Sequence, residues 1–272
     1  MQINHFFKQS TYHLGDQLEG MIEIANGEQE QVLSQVSIML ILRCQRQTEE
    51  QIYTLKQKNF SELVLRPHQH KRLAISYQLE KDLLVTSEQA IYSIQTEVQT
   101  KDGHQQIKKD QIPILPPKLI SKLFVAMQQI GWEKDAITFT DNIQIFRFVS
   151  KNARQLLRAC EFAIVFGDQG IKLLITLHSK NEKMKREAYL FYRWFDDPQQ
   201  LKTILQQIFN RNQLKSTRDE HNYQEWMKSA TLLGSRFVKF EDLGTDDVVE
   251  SPPLTDLKDL SYDIFDDDPD ED

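Results

Sequence analysis

Apolar residues recur at every second position through most of the first 115 residues, the period of a strand with one face buried. Leu73, Ile75, Tyr77 and Leu79 form one such face, and Tyr92, Ile94, Thr96 and Val98 another. Val36 to Leu42 is apolar on both faces, which predicts a central strand covered by an opposing sheet. Asp102-Gly103, after a strand ending near Thr100, predicts a tight hairpin. Short strands separated by turn residues imply an antiparallel β-sandwich. Pro113, Pro116 and Pro117 then interrupt the pairing ladder, since proline has no backbone donor, and mark a domain boundary.

Beyond that boundary the period changes. Ile120, Leu123, Phe124, Met127 and Ile130 fall at helical spacing behind Pro117, with Gly131 as the stop. Strand patterns return at Ile137 to Phe139, Ile143 to Phe148 and Glu161 to Phe166, and a Gly167-Asp168-Gln169-Gly170 turn leads into Ile171, Leu173, Ile175 and Leu177. Glu187 to Phe195 reads as a further strand. Asp197 is placed to cap a helix beginning at Pro198 and carrying Leu201, Ile204, Leu205, Ile208 and Phe209. Thr217 to Glu220 reads as a capping box for another helix, with Tyr223, Trp226, Met227 and Ala230 on one face and an end at Gly234. Past Phe240 the chain is acidic and proline-containing, a composition that predicts disorder unless it docks.

Within the first strands, Gly15-Asp16 supplies a turn, because Gly takes positive φ freely and Asp bonds its own backbone. Gly20 leaves room for a bulge or a close strand approach. The run from Tyr12 through His13-Leu14-Gly15-Asp16-Gln17-Leu18-Glu19-Gly20 to Ile24 resembles the opening of an arrestin-like domain. Continued through Asn26 to Leu33 and Val36 to Leu42, it is similar to the bacterial sporulation-control family of the stage-zero sporulation protein M type. Phe146 and Phe148 resemble the strands that follow the short helix of that family, and the resemblance spans roughly residues 5–210. It implies two arrestin-like β-sandwich domains, to which the periodicity and composition above add a few amphipathic helices and a disordered acidic C-terminal tail. The expected division is 1–115, 116–212, a helical extension over 213–240, and the tail over 241–272.

The 272 residues suffice for two domains with cores of their own. No stretch reaches the roughly 18 apolar residues of a membrane span, and Met1 to His5 lacks the order of a signal peptide, so the protein reads as cytoplasmic. Cys44 and Cys160 sit in apolar runs and read as buried reduced thiols. The net charge of −7 hides a division: residues 241–272 carry 14 acids and one base, leaving a body of net +6.

Catalytic apparatus is sparse. Nine glycines form neither a phosphate-cradling loop nor a dinucleotide fingerprint, and the protein reads as no enzyme and calls for no cofactor or metal. His68 and His70 have the alternate spacing of a ligand pair, yet Arg66, Lys71 and Arg72 would repel a cation, so the segment reads as a solvated loop or a basic contact surface formed by those three residues. Cys160 and His178 lie on separate strands with no third orienting group, and Asp196-Asp197 is explained by capping rather than acid-base work. Trp194, Trp226, Tyr189, Tyr192 and Tyr223 read as core, not as a stacking platform, because a body of net +6 is too weakly basic for nucleic acid.

In the tail, Leu260, Tyr262, Ile264 and Phe265 stand among aspartates, a pattern that suits either a docking motif that folds on binding or a solubilising end. The family resemblance implies a regulatory scaffold acting through protein partners in control of sporulation or cell-cycle stage. A second copy of the chain is a candidate partner; nucleic acid and stable membrane insertion are not expected. The rival reading is a sorting or trafficking-like adaptor on an anionic membrane surface, with Lys8, Arg66, Lys71 and Arg72 as contacts.

Overall fold

The computed structural model describes residues 1–46, 49–139, 144–152, 157–180, 183–209 and 231–232, and the fold is mainly β with several sheets. Contacts divide the chain into two units, one of Met1–Glu80 with Val85–Pro116, the other of Lys81–Leu84 with the chain from Pro117 onward.

In the first unit, β1 (Gln2–Phe7), β3 (Gln17–Ala25) and β6 (His70–Gln78) form one antiparallel sheet in the order β1-β3-β6. The facing sheet has the order β5-β4-β7-β8, from β4 (Gln31–Arg46), β5 (Glu49–Leu65), β7 (Ala90–Thr100) and β8 (Gln105–Gln111). The two predicted stripes are buried: Leu73, Ile75 and Tyr77 on β6, Tyr92, Ile94, Thr96 and Val98 on β7. Val36 to Leu42 lies in the central strand β4, as its two apolar faces require. The Tyr77 hydroxyl donates to the Ile38 carbonyl at 3.1 Å across the sandwich, and burial pushes its pKa up to about 12.

The segment around Gly15-Asp16 ties this unit together. Gly15 has φ +91°, its N–H donates to Leu79 O at 2.7 Å, and Leu79 N–H returns to Asp16 O at 3.0 Å. The preceding strand β2 (Tyr12–His13) pairs in parallel with β9 (Ile114–Leu115), and the buried Tyr12 hydroxyl donates to Glu19 O at 2.8 Å. Gly20 continues the regular ladder between Phe7 and Ile75, so it serves close approach and not a bulge. Asp102-Gly103 forms the expected hairpin turn, with φ +83° at Gly103 and Thr100 N–H on His104 O at 2.9 Å.

In the second unit, β10 (Trp132–Phe139), β11 (Gln144–Ser150), β12 (Leu157–Phe166), β13 (Gly170–Ser179) and β14 (Lys183–Phe191) pair in sequence order as an antiparallel meander. The helix α1 (Lys118–Gln129) buries Ile120, Leu123 and Met127 and stops at Gly131, whose φ is +94°. Its Phe124 ring lies 5.1 Å from that of Phe146 and 5.3 Å from that of Phe148, so the paired aromatics are the floor on which α1 sits. The second helix, α2 (Pro198–Phe209), starts where predicted, with Asp197 Oδ1 accepting from the N–H groups of Gln199 and Gln200 at 2.9 and 3.1 Å.

Two element boundaries depart from expectation. The strand predicted to reach Phe195 ends at Phe191, and Tyr192–Phe195 forms a 3-10 turn. Tyr192 sets that turn, its N–H on Gln169 O at 2.9 Å and its hydroxyl on Gly167 O at 2.6 Å. Nor does the helix expected to end at Gly234 include Thr231–Leu232, which form a short strand, β15, paired with Val165 and Phe166 of β12. The remainder of that predicted helix, and the tail, lie outside the described residues.

Candidate functional site

The segment Arg66–Arg72 is built on a tight turn. Asn26, nearly buried, donates from its side-chain amide to Gln29 O at 2.7 Å, Leu65 O at 3.0 Å and Arg66 O at 2.9 Å. Arg66 N–H donates to Gln69 Oε1 at 2.8 Å, and His68 takes φ +56°. Since His68 is in this turn and His70 opens β6, the pair does not share one extended face. Among the described residues, no group of three or more His, Cys, Asp or Glu side chains is placed to hold a metal ion.

The alternation along β6 separates Lys71 from Arg72. Lys71 lies in step with the inward positions Leu73 and Ile75, whereas Arg72 alternates to the outer face of the sheet. There Arg72 Nε stands 2.9 Å from Glu23 Oε2, and His70 Nδ1 stands 3.4 Å from Glu23 Oε1. The Arg72 hydrogen bond is the leading cause that holds the Glu23 carboxyl below its ordinary value. Of the three basic residues, Arg66 and Lys71 are exposed, and the charge of Arg72 is offset by Glu23.

The remaining candidates separate. Cys160 pairs with Leu177 and His178 with Ala159, which places their side chains on opposite faces of the sheet. Burial raises the Cys160 thiol, the reverse of what a nucleophile needs. His178 Nε2 instead faces Glu161 Oε2 at 3.0 Å, in a cross-strand ladder with Arg147 and Asp135. Leu260, Tyr262, Ile264 and Phe265 lie outside the described residues.

The strand edges offer a second kind of surface. At one border of its sheet, β5 exposes Ile52 by 63% and Val64 by 54%. Lys56 and Lys58 interrupt it, Lys58 Nζ donates to Ala74 O at 3.3 Å, and Glu62 takes φ +39°. Lysines and a local backbone distortion guard an edge against indiscriminate pairing.

The sequence reading passed over His5. On β1 it alternates inward with Ile3 and Phe7, its side chain fully enclosed, with Nε2 2.9 Å from Thr96 Oγ1 on β7 and Nδ1 3.0 Å from Asp110 Oδ2 on β8. The signal was present: a titratable residue stands at the inward parity of an Ile-x-His-x-Phe alternation.

Comparison with known proteins adds the relationship. The profile of the SpoOM protein family matches residues 1–180. The chain belongs to this family. The crystal structure of Spo0M, a sporulation control protein from Bacillus subtilis, superposes on this SpoOM family member with a TM-score of 0.60 at 14% identity, covering 76% of this chain and 96% of that one. At that identity the likeness speaks for the fold, an arrestin-like β architecture. A comparison with curated proteins finds no match.

Proposed function

We propose that this SpoOM family member is a non-enzymatic regulatory scaffold of the cytoplasm, acting by protein-protein contact in control of sporulation or cell-cycle stage. The observation that carries this reading is the family match over residues 1–180, which includes the whole first unit. The chemistry of the described residues supports it: the Cys160 thiol is buried with its pKa pushed up, Asp197 caps a helix, and Lys71 and Arg72 alternate to opposite faces of β6. No described helix is long and apolar enough to cross a membrane. Contact is assigned to the Arg66 and Lys71 surface and the sheet edges of the first unit, with the segment Leu260 to Phe265 as a competitor for that surface.

Affinity capture with the full chain from its own lysate tests the reading, combined with flotation on neutral and anionic vesicles. A discrete protein partner lost on Arg66→Ala with Lys71→Ala, without flotation, supports it. Flotation on anionic vesicles without a protein partner replaces it with the membrane-adaptor reading. A host lacking the protein that sporulates and divides on an unchanged schedule removes the regulatory assignment.

A further inference from the structure

His5 closes the seam at which an edge strand of one sheet meets the opposite sheet. Among the described strands β1 pairs with β3 alone, and β8 is likewise a border strand. Every polar contact of the imidazole is to the other sheet, Thr96 on β7 and Asp110 on β8, while its partner on β3 is Ile22. The charged groups around it are Asp110 and Lys108, joined to each other at 3.1 Å, and Phe7 packs edge-on at 6.1 Å between ring centres.

With its proton placed on Nδ1, which stands 3.0 Å from Asp110 Oδ2 without the alignment of a hydrogen bond, the neutral ring uses Nε2 to accept the Thr96 hydroxyl hydrogen. Acid places a proton on that same Nε2. The buried Thr96 hydroxyl must then turn its hydrogen elsewhere, and a cation stands in an enclosed site where, among the described residues, Asp110 balances it and Lys108 opposes it. We propose that His5 is an acid-sensitive latch: its protonation releases β1 from the sandwich and uncovers the backbone edge of β3. This device rests on the geometry of His5 and stands apart from the scaffold reading. Desolvation, the largest influence on the ring, lowers its pKa from 6.5, so the latch is closed at neutral pH and opens on acidification.

Amide hydrogen exchange of the full chain at about pH 8 and about pH 5, corrected for intrinsic rates, reads the latch. The expected result is loss of protection confined to residues 2–7 and their ladder partners 20–25 at the lower pH, with β4 and β13 unchanged. His5→Gln, which does not titrate, should remove the pH dependence. Asp110→Asn, at a position 36% exposed, should fold and shift the opening to higher pH, because the carboxylate is the group that favours the protonated ring. Equal loss across the whole molecule, persistence of the pH dependence in His5→Gln, or an unmoved opening in Asp110→Asn overturns the proposal.

Discussion

At the residue scale, two glycines carry the clearest consequences. A Cβ on Gly20 would lie 2.8 Å from Phe6 O and 3.0 Å from Phe7 Cδ1. Gly20→Val should therefore destabilise by about 1–3 kcal/mol, read as a lowered thermal midpoint, and an unchanged midpoint would remove the close-approach argument. A Cβ on Gly170 would meet Leu190 O at 2.3 Å and Phe191 Cα at 2.9 Å, both backbone atoms that cannot rotate away, so even Gly170→Ala should lower the midpoint. Gly20 was legible because it opens a period-two run; Gly170 read as a turn residue only, since nothing local announces the strand beside it. Two ionisable groups set separate acid windows. The His5 pKa is lowered from 6.5, so its contribution is complete above that value and falls as pH drops, whereas Glu23, lowered from 4.5, loses its contribution only at more acid pH. The stability difference between the wild type and Glu23→Gln should hold constant above about pH 5 and shrink below it in pH-dependent melts; a difference already shrinking near neutrality would contradict this.

At the scale of elements, legibility followed how much local chemistry each boundary contains. The start of α2 is written in three consecutive signals, an acidic cap, a proline and an apolar period, and Asp197→Ala should cost about 1 kcal/mol while Asp197→Asn stays near neutral. Equal melting of the two variants would deny the cap its role. By contrast, β5 was invisible to a period-two reading, because an edge strand buries little and Lys56, Gln57, Lys58 and Asn59 mask its alternation. The overrun of β14 into Tyr192–Phe195 has a different cause: an apolar-aromatic run does not show where extended backbone gives way to a turn. There a tertiary bond from Tyr192 to Gly167 O decides, and no neighbouring residue encodes it. The His5 contacts belong to the same class, since Asp110 lies over a hundred residues away in the chain.

For the whole molecule, the division of charge between a body of net +6 and the last 32 residues of net −13 is the one long-range force readable from sequence alone. A tether converts such attraction into an intramolecular equilibrium at an effective concentration that reaches about millimolar for short flexible connections, so weak docking of the tail is enough to compete with a partner. Because Glu23 already offsets Arg72, docking should depend on Arg66 and Lys71, and Arg72→Ala should weaken it less than Arg66→Ala with Lys71→Ala. Screening reaches about 8 Å at physiological salt, so a purely ionic contact should open at about 1 M salt, while Tyr262 and Phe265 would keep the tail in place if they fill apolar surface. Truncation after Phe240 should raise partner affinity and increase amide exchange around Arg66 to Arg72, and Tyr262→Ala with Phe265→Ala should reproduce part of both effects. If truncation leaves partner affinity and exchange in the first unit unchanged, the acidic segment is a solubilising end and the competition does not exist.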